Sequence, residues 1–308
     1  MTCTSDQQQP TIHTLMKGSN SMRKFLAAAA LASLFAVPGP ALAKNEQSAP
    51  VSASSKVNPR EAGADVNPTF ELTPRVDWRY FTWTELAPNG ATALTESGSL
   101  LVLGLDPRIA FGPRKRFFVE ADTSFYLGTV DYDGAQQNGV PVKSKTGYFG
   151  LELAPTAGYV FSLGPRFQLT PMAGLGFEYW NRDVGDGDVR GYDEKYTVYR
   201  IQTGLRGTYL LNRDFRFYST LQLKIPVSIS ESVRVGARGV GPAVDVSLSP
   251  GISPAILVEG GTNIRGIVNV ALYFETWTLT KSNLDKGFLQ PDSTRKLFGI
   301  RVGHSFSL

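Results

Sequence analysis

The chain has 308 residues, 42% of them hydrophobic, with a formal net charge of +4 and one cysteine. Its Lys and Arg residues are scattered rather than clustered, which argues against a nucleic-acid partner, because such proteins carry a basic patch or stripe. After residue 43 no apolar run approaches the roughly 20 residues of a membrane helix, so the rest of the chain is either soluble or crosses a membrane by alternating strands.

The first element in the chain is a targeting signal. The stretch "MRKFLAAAALASLFAVPGPALA" begins at Met22 with the basic pair Arg23 and Lys24. It continues through an apolar core from Phe25 to Val37 and ends in Ala41-Leu42-Ala43. That is the layout of a cleaved signal peptide over 22–43. Residues 1–21 are expected to be an upstream start-site extension. They hold the sole cysteine, Cys3, so the exported chain is expected to have no disulfide and no thiolate-bound metal. Residues 44–68 are rich in Ser, Ala, Pro and charge, which predicts a disordered periplasmic lead.

From residue 69 to 308 the hydrophobic period is two. Strands are predicted near 70–86, 98–111, 115–131, 145–163, 166–183, 194–211, 215–230, 244–260, 264–280 and 296–308. Four connections are tight: "GPRK" at 112–115, "GPR" at 164–166, "NRD" at 212–214 and "GGTN" at 260–263. Five are longer, near 87–97, 132–144, 184–193, 231–243 and 281–295. Tight and long connections alternate. In the fifth strand Phe167, Leu169, Leu175, Phe177 and Tyr179 share one face, and Arg166, Gln168, Thr170 and Glu178 the other. Pro74, Pro107, Pro155, Pro171, Pro226, Pro250 and Pro254 fall inside strands. Proline cannot donate to a ladder, so bulges and one-residue slips are expected around them, most of all in the eighth strand.

An even strand number, with tight turns at one end and long loops at the other, resembles bacterial outer-membrane β-barrel proteins of the small, ten-stranded type. The resemblance covers 70–308 and includes a last strand in which Phe298, Ile300, Val302, Phe306 and Leu308 alternate. It implies an all-β fold, a single closed antiparallel up-and-down transmembrane β-barrel. It also implies an outer-membrane location, membrane lipid around the wall, and insertion by the outer-membrane assembly machinery through the C-terminal strand. In that frame one face meets lipid and the other a wet lumen. Phe111, Phe117, Phe161, Phe167, Tyr209, Phe215 and Phe217 flank the tight turns and are expected to form an aromatic girdle. Arg75, Asp77, Asp106, Arg108, Glu120, Asp122, Arg206 and Arg301 point inward at similar depth. They are expected to pair into a network that narrows the lumen, because an unpaired charge away from water is costly. Glu71, Arg79, Glu152, Glu178, Arg200, Lys224, Glu259, Arg265 and Glu275 are further inward charges.

Catalytic patterns are sparse. Barrel enzymes of the omptin type use a His–Asp pair near the outer rim. The exported chain has one histidine, His304, near the short-turn end and outward in this register, and no G-x-S-x-G occurs. The acidic loop 181–194 lacks EF-hand spacing, since Gly185 and Gly187 stand where ligands belong. No catalytic residue, metal or cofactor is expected. The sequence points to a non-enzymatic surface or structural barrel or a small pore. A surface-loop binding protein or adhesin is the alternative, and a barrel enzyme the next.

Overall fold

The computed structural model describes residues 69–135, 140–185, 191–235 and 244–307. The signal peptide, the upstream extension, the lead over 44–68 and Leu308 lie outside the described residues, as do Asp186 and Asp188 of the acidic loop. Ten strands form: β1 (Phe70–Leu86), β2 (Thr92–Phe111), β3 (Phe117–Ala135), β4 (Pro141–Tyr159, continued by Phe161–Ser162), β5 (Phe167–Val184), β6 (Tyr192–Leu210), β7 (Phe215–Val235), β8 (Val244–Leu248, Gly251–Ile252 and Ala255–Ile264), β9 (Val268–Thr280) and β10 (Ser293–His304, continued by Phe306–Ser307). Each pairs antiparallel with its neighbours in chain order. β10 returns to pair with β1 from Arg75↔Gly303 to Glu85↔Ser293, and the barrel closes. Closure pairs the backbone donors and acceptors that an open edge would leave exposed.

The strands extend further toward the long loops than the sequence pattern predicts; β2 begins at Thr92 and β4 at Pro141. Arg182 and Glu194, at the ends of the predicted strands that flank the acidic loop, are strand residues on the lumen face. The proline expectation is corrected in part. One register holds across Pro107 (Leu105↔Thr123, Arg108↔Glu120) and across Pro155 (Leu153↔Phe177, Thr156↔Gly174). A missing N–H removes one bond on one side, whereas a slip needs an extra residue. Among the described pairings with a shift, one falls at Tyr199/Arg200, where Arg200 faces Pro226, and one at Glu85/Leu86 beside a long loop. β8 does break, at Pro250 and Pro254. Arg265 is a second correction. It sits at φ 55 in the β8–β9 turn, with its side chain 71% exposed and 3.7 Å from Asp214, so it does not enter the lumen.

Residue parity sorts the two faces. In β1 the even positions Val76, Trp78 and Tyr80 are 48, 46 and 42% exposed, while Arg75, Asp77 and Arg79 are 4, 0 and 4% exposed. This is a soluble core turned inside out: apolar outside, charged inside. The outward apolar stretch of β1, from Leu72 to Tyr80, matches the roughly 9–11 tilted residues that cross a bilayer. Above it the outward residues turn polar: Thr82 and Thr84 in β1, Ser97 and Ser99 in β2, Thr276 and Thr278 in β9, Lys296 in β10. The part of the barrel carrying these residues stands beyond the apolar band. At the tight-turn end Phe111, Phe117, Phe161, Phe167, Tyr209, Phe215 and Phe217 all point outward and are 38–49% exposed. Phe117 packs edge-on against Tyr159 at 4.6 Å, and Tyr159 against Phe161 at 4.6 Å.

Candidate functional site: the lumen

Inward residues form successive levels from the tight turns to the long loops. The first level belongs to β1, β2, β3, β8 and β10. Arg75 donates to Asp106 at 2.9 Å and to Asp77 at 2.8 Å, and also pairs with Asp122. Arg301 joins the same group through Asp77 at 3.2 Å and Glu259 at 3.0 Å. Asp77 bridges the two arginines because β1 lies between β2 and β10. Gly104 in β2 makes this level possible: a Cβ there would come within 2.6 Å of the Arg75 guanidinium.

Arg108, Glu120 and Arg206 form a separate group. Glu120 lies 3.8 Å from Arg108 and 3.6 Å from Arg206. The eight charges singled out from the sequence thus divide into two clusters, and Glu259 completes the first. All of these except the fully buried Asp77 line a cavity of about 300 Å³ that also reaches Arg216, Tyr218 and Asn269. At this level the charges narrow the lumen but do not fill it.

Two more ionic groups lie above. Lys224 pairs with Glu152 at 3.1 Å and with Glu275 at 2.6 Å, and Arg79 donates to the Tyr273 hydroxyl at 3.0 Å. Glu178 is held by Arg200, by Arg295 at 2.7 Å and by the Tyr126 hydroxyl at 3.0 Å. Tyr126 and Tyr273 lie over Gly150 and Gly299, their register partners on the next strand; a Cβ at either glycine would fall 2.2 Å from the ring.

Above these groups aromatic side chains pack against one another in the lumen. Trp180 stacks on Tyr196 at 4.6 Å and 9°. Trp277 meets Trp180 at 5.9 Å and Trp83 at 6.2 Å, both edge-on. Phe81 packs on Tyr148 at 4.7 Å. Arg295 lies over Trp180 and Trp277 at 5.1 and 5.3 Å, a cation–π arrangement that lets a buried guanidinium sit among rings. Leu94, Leu100, Val130 and Leu297 complete this core.

The uppermost group lies beyond the apolar band. Arg182 reaches Glu85 at 3.3 Å, Glu96 at 3.0 Å and Glu194 at 2.6 Å. Glu96 also accepts from Thr146 at 2.6 Å and from Tyr148, and Glu194 from Tyr196 at 3.0 Å. Glu231 of β7 is 1% exposed, and among the described residues neither of its carboxyl oxygens has a hydrogen-bond partner of good geometry, Tyr196 being the neighbouring hydroxyl. One arginine therefore serves a neighbourhood of four carboxyls. Burial, then the charge of Glu194, pushes Glu231 up to about 9. Burial likewise pushes Glu85 up to about 7 despite Arg182.

The sequence reading missed the aromatic cluster and the Arg182 group. The available signal was parity: Phe81 and Trp83 continue the inward series Arg75, Asp77, Arg79, and Trp277 follows Glu275.

No protein-family model matches the chain, and no curated protein matches it. Solved structures of similar fold include the outer membrane protease OmpT from Escherichia coli, with TM-score 0.54 and 11% identity over 78% of this chain and 96% of that one. The translocator domain of the autotransporter NalP from Neisseria meningitidis gives TM-score 0.41 and 13% identity over 80% and 92%. The outer membrane protein OprG from Pseudomonas aeruginosa gives 0.36 and 14% over 79% and 99%. At 11% identity the likeness to OmpT is one of fold, a closed β-barrel.

Proposed function

We propose that this chain is an exported outer-membrane β-barrel with a closed lumen, serving a non-enzymatic structural or surface role rather than acting as an open pore. The observation that carries the reading is the aromatic seal. Trp83, Trp180, Trp277 and Tyr196 are each no more than 2% exposed and meet across the barrel from β1, β5, β6 and β9. A ten-stranded barrel is only modestly wider than one that side chains can fill, so four such residues at one height suffice to block it. His304 lies outward at the tight-turn end, 4.6 Å from Phe306. Its distance from the long-loop rim supports a role other than catalysis. The outward apolar band and its aromatic girdle support lipid as the surrounding medium, with the tight turns on the periplasmic side.

Planar-bilayer recording tests the closed lumen. Wild-type protein should give no steady conductance, and the double variant Trp83→Ala, Trp277→Ala should open one, because it removes two of the rings that meet at the seal. A steady, large, weakly selective conductance from the wild type would refute the reading. Orientation is checked by thiol labelling of intact cells. Leu284→Cys, 65% exposed in the last long loop, should react with an impermeant reagent, and Arg213→Cys in a tight turn should not. The reverse pattern would invert the topology.

A further inference from the structure

The chamber below the seal has a basic mouth that no part of the closed-lumen reading uses. We infer that it is a binding site for a small free oxyanion of the inorganic phosphate class, held by Arg108, Arg206 and Arg216.

Three features carry this. The first is unspent hydrogen-bonding capacity. Glu120 is the carboxylate shared by Arg108 and Arg206, yet it lies 3.8 and 3.6 Å away, beyond hydrogen-bond length. Arg206 gives one N–H to the Thr220 hydroxyl at 3.1 Å. Arg108 lies with its guanidinium carbon 4.0 Å from the centre of the Phe118 ring, a contact that uses its face and leaves its edge donors available. Arg216 forms no ion pair among the described residues and lines the same chamber. A guanidinium offers five donors in a fork that fits phosphate oxygens, so this mouth presents far more N–H groups than its own acceptors take up.

The second feature is charge. Three arginines face Glu120 and Glu71 at this level, and Glu71 is the register partner of Arg108. These five groups leave one positive charge over, within a chamber whose remaining lining carries both signs. A bound anion would balance that local excess through charge-assisted hydrogen bonds to the guanidinium edges.

The third is access. The side chains of Arg108, Arg206 and Glu120 are 23, 25 and 21% exposed, against 1 and 0% for Arg182 and Glu96 above the seal. The cavity of about 300 Å³ holds several times the roughly 30 Å³ share of a water molecule. The barrel wall separates it from lipid headgroups, so the occupant is a free anion entering from the tight-turn end.

The test is calorimetric titration of the full refolded chain with inorganic phosphate, at constant ionic strength and in a detergent without phosphate groups. Saturable uptake at one site is expected. Arg216→Gln should weaken it on the order of tenfold, the loss of one charge-assisted bidentate contact. Arg206→Gln should do the same, and Arg216→Lys should retain part of the affinity. Arg234→Gln, at the exposed long-loop end, should leave it unchanged. Among the described residues the Arg216 side chain has no ion-pair partner whose loss would unfold the barrel, so folded protein is available for this arm whatever Arg206→Gln does; heat-dependent gel mobility checks each variant. No saturable uptake up to about 10 mM, or equal uptake by wild type and Arg216→Gln, would overturn the inference. Binding here does not require the seal: a conducting wild type would defeat the closed-lumen reading and leave this titration intact.

Discussion

Replacing Arg182 with methionine should remove on the order of 3–5 kcal/mol of stability, the range for breaking a buried ion pair by deleting one partner. Arg182 is 1% exposed and is the cation shared by Glu85, Glu96 and Glu194 at 3.3, 3.0 and 2.6 Å. Methionine fills much of the volume, so the loss is electrostatic rather than a cavity effect. It strands three carboxyls, and Glu96 at 0% exposure has no route to water. Some of them must then take up protons, which makes the variant weaker still at alkaline pH. The midpoint of urea unfolding measures the effect, with the temperature of the gel-mobility shift as a second readout. Adding Glu194→Gln to Arg182→Met should restore part of the loss, because residues in one network couple non-additively. Arg234→Met is the control: its pairing with Asp245 is 3.9 Å and largely exposed, and such pairs contribute about 0–1 kcal/mol. If Arg182→Met lost no more than Arg234→Met, the upper group would not be a buried ionic cluster.

The legible and illegible parts of this barrel divide by the kind of contact. Strand existence, closure and the outward face depend on local alternation and on turn residues, and these are written along the chain. Phe167 to Tyr179 in β5 is the plainest case. The Arg75 group was partly legible because β1, β2, β3 and β10 become neighbours on closure, so Asp77, Asp106, Asp122 and Arg301 must meet Arg75 if the heights match. Contacts across the lumen have no such rule. Arg206 on β6 reaches Glu120 on β3, and Arg182 on β5 reaches Glu85 on β1. Those meetings depend on side-chain reach and barrel width. The aromatic seal was hidden for a different reason. Aromatic residues in a membrane barrel are expected at the lipid interfaces, and Trp83, Trp180 and Trp277 share the inward parity of the charges instead. Parity is the stronger rule, since a strand cannot turn one side chain to the other face without a slip. Arg265 failed by parity as well: it lies past the end of β8, at positive φ, where the alternation has stopped.

Glu231→Gln should stabilise the barrel at alkaline pH and leave it nearly unchanged at acid pH. Glu231 lies in the upper lumen under the influence of Glu194 and Tyr196 of β6, Arg182 of β5 and Glu85 of β1. Among the described residues its oxygens lack hydrogen-bond partners of good geometry, and its register partner in β6, Tyr196, works against the upward shift without cancelling it. Burial and Glu194 raise it to about 9 in the folded barrel, from an ordinary value of 4.5. Between those two values the folded state holds a proton that the unfolded chain releases. Stability therefore falls as pH rises through this window, and the loss is complete only above the folded value. Below 4.5 both states are protonated and the group contributes no penalty. Glu85, raised to about 7, adds a slope of the same sign in both proteins. Glutamine keeps the shape, carries no charge and can turn its amide N–H toward Glu194. The difference between variant and wild type should thus be close to zero at pH 4 and grow to a few kcal/mol, in order of magnitude, at pH 9. Urea unfolding at matched ionic strength across that range gives both slopes. A Glu231→Gln barrel with the same pH slope as the wild type would mean that Glu231 titrates at an ordinary value, and that the upper lumen is wetter than its geometry indicates.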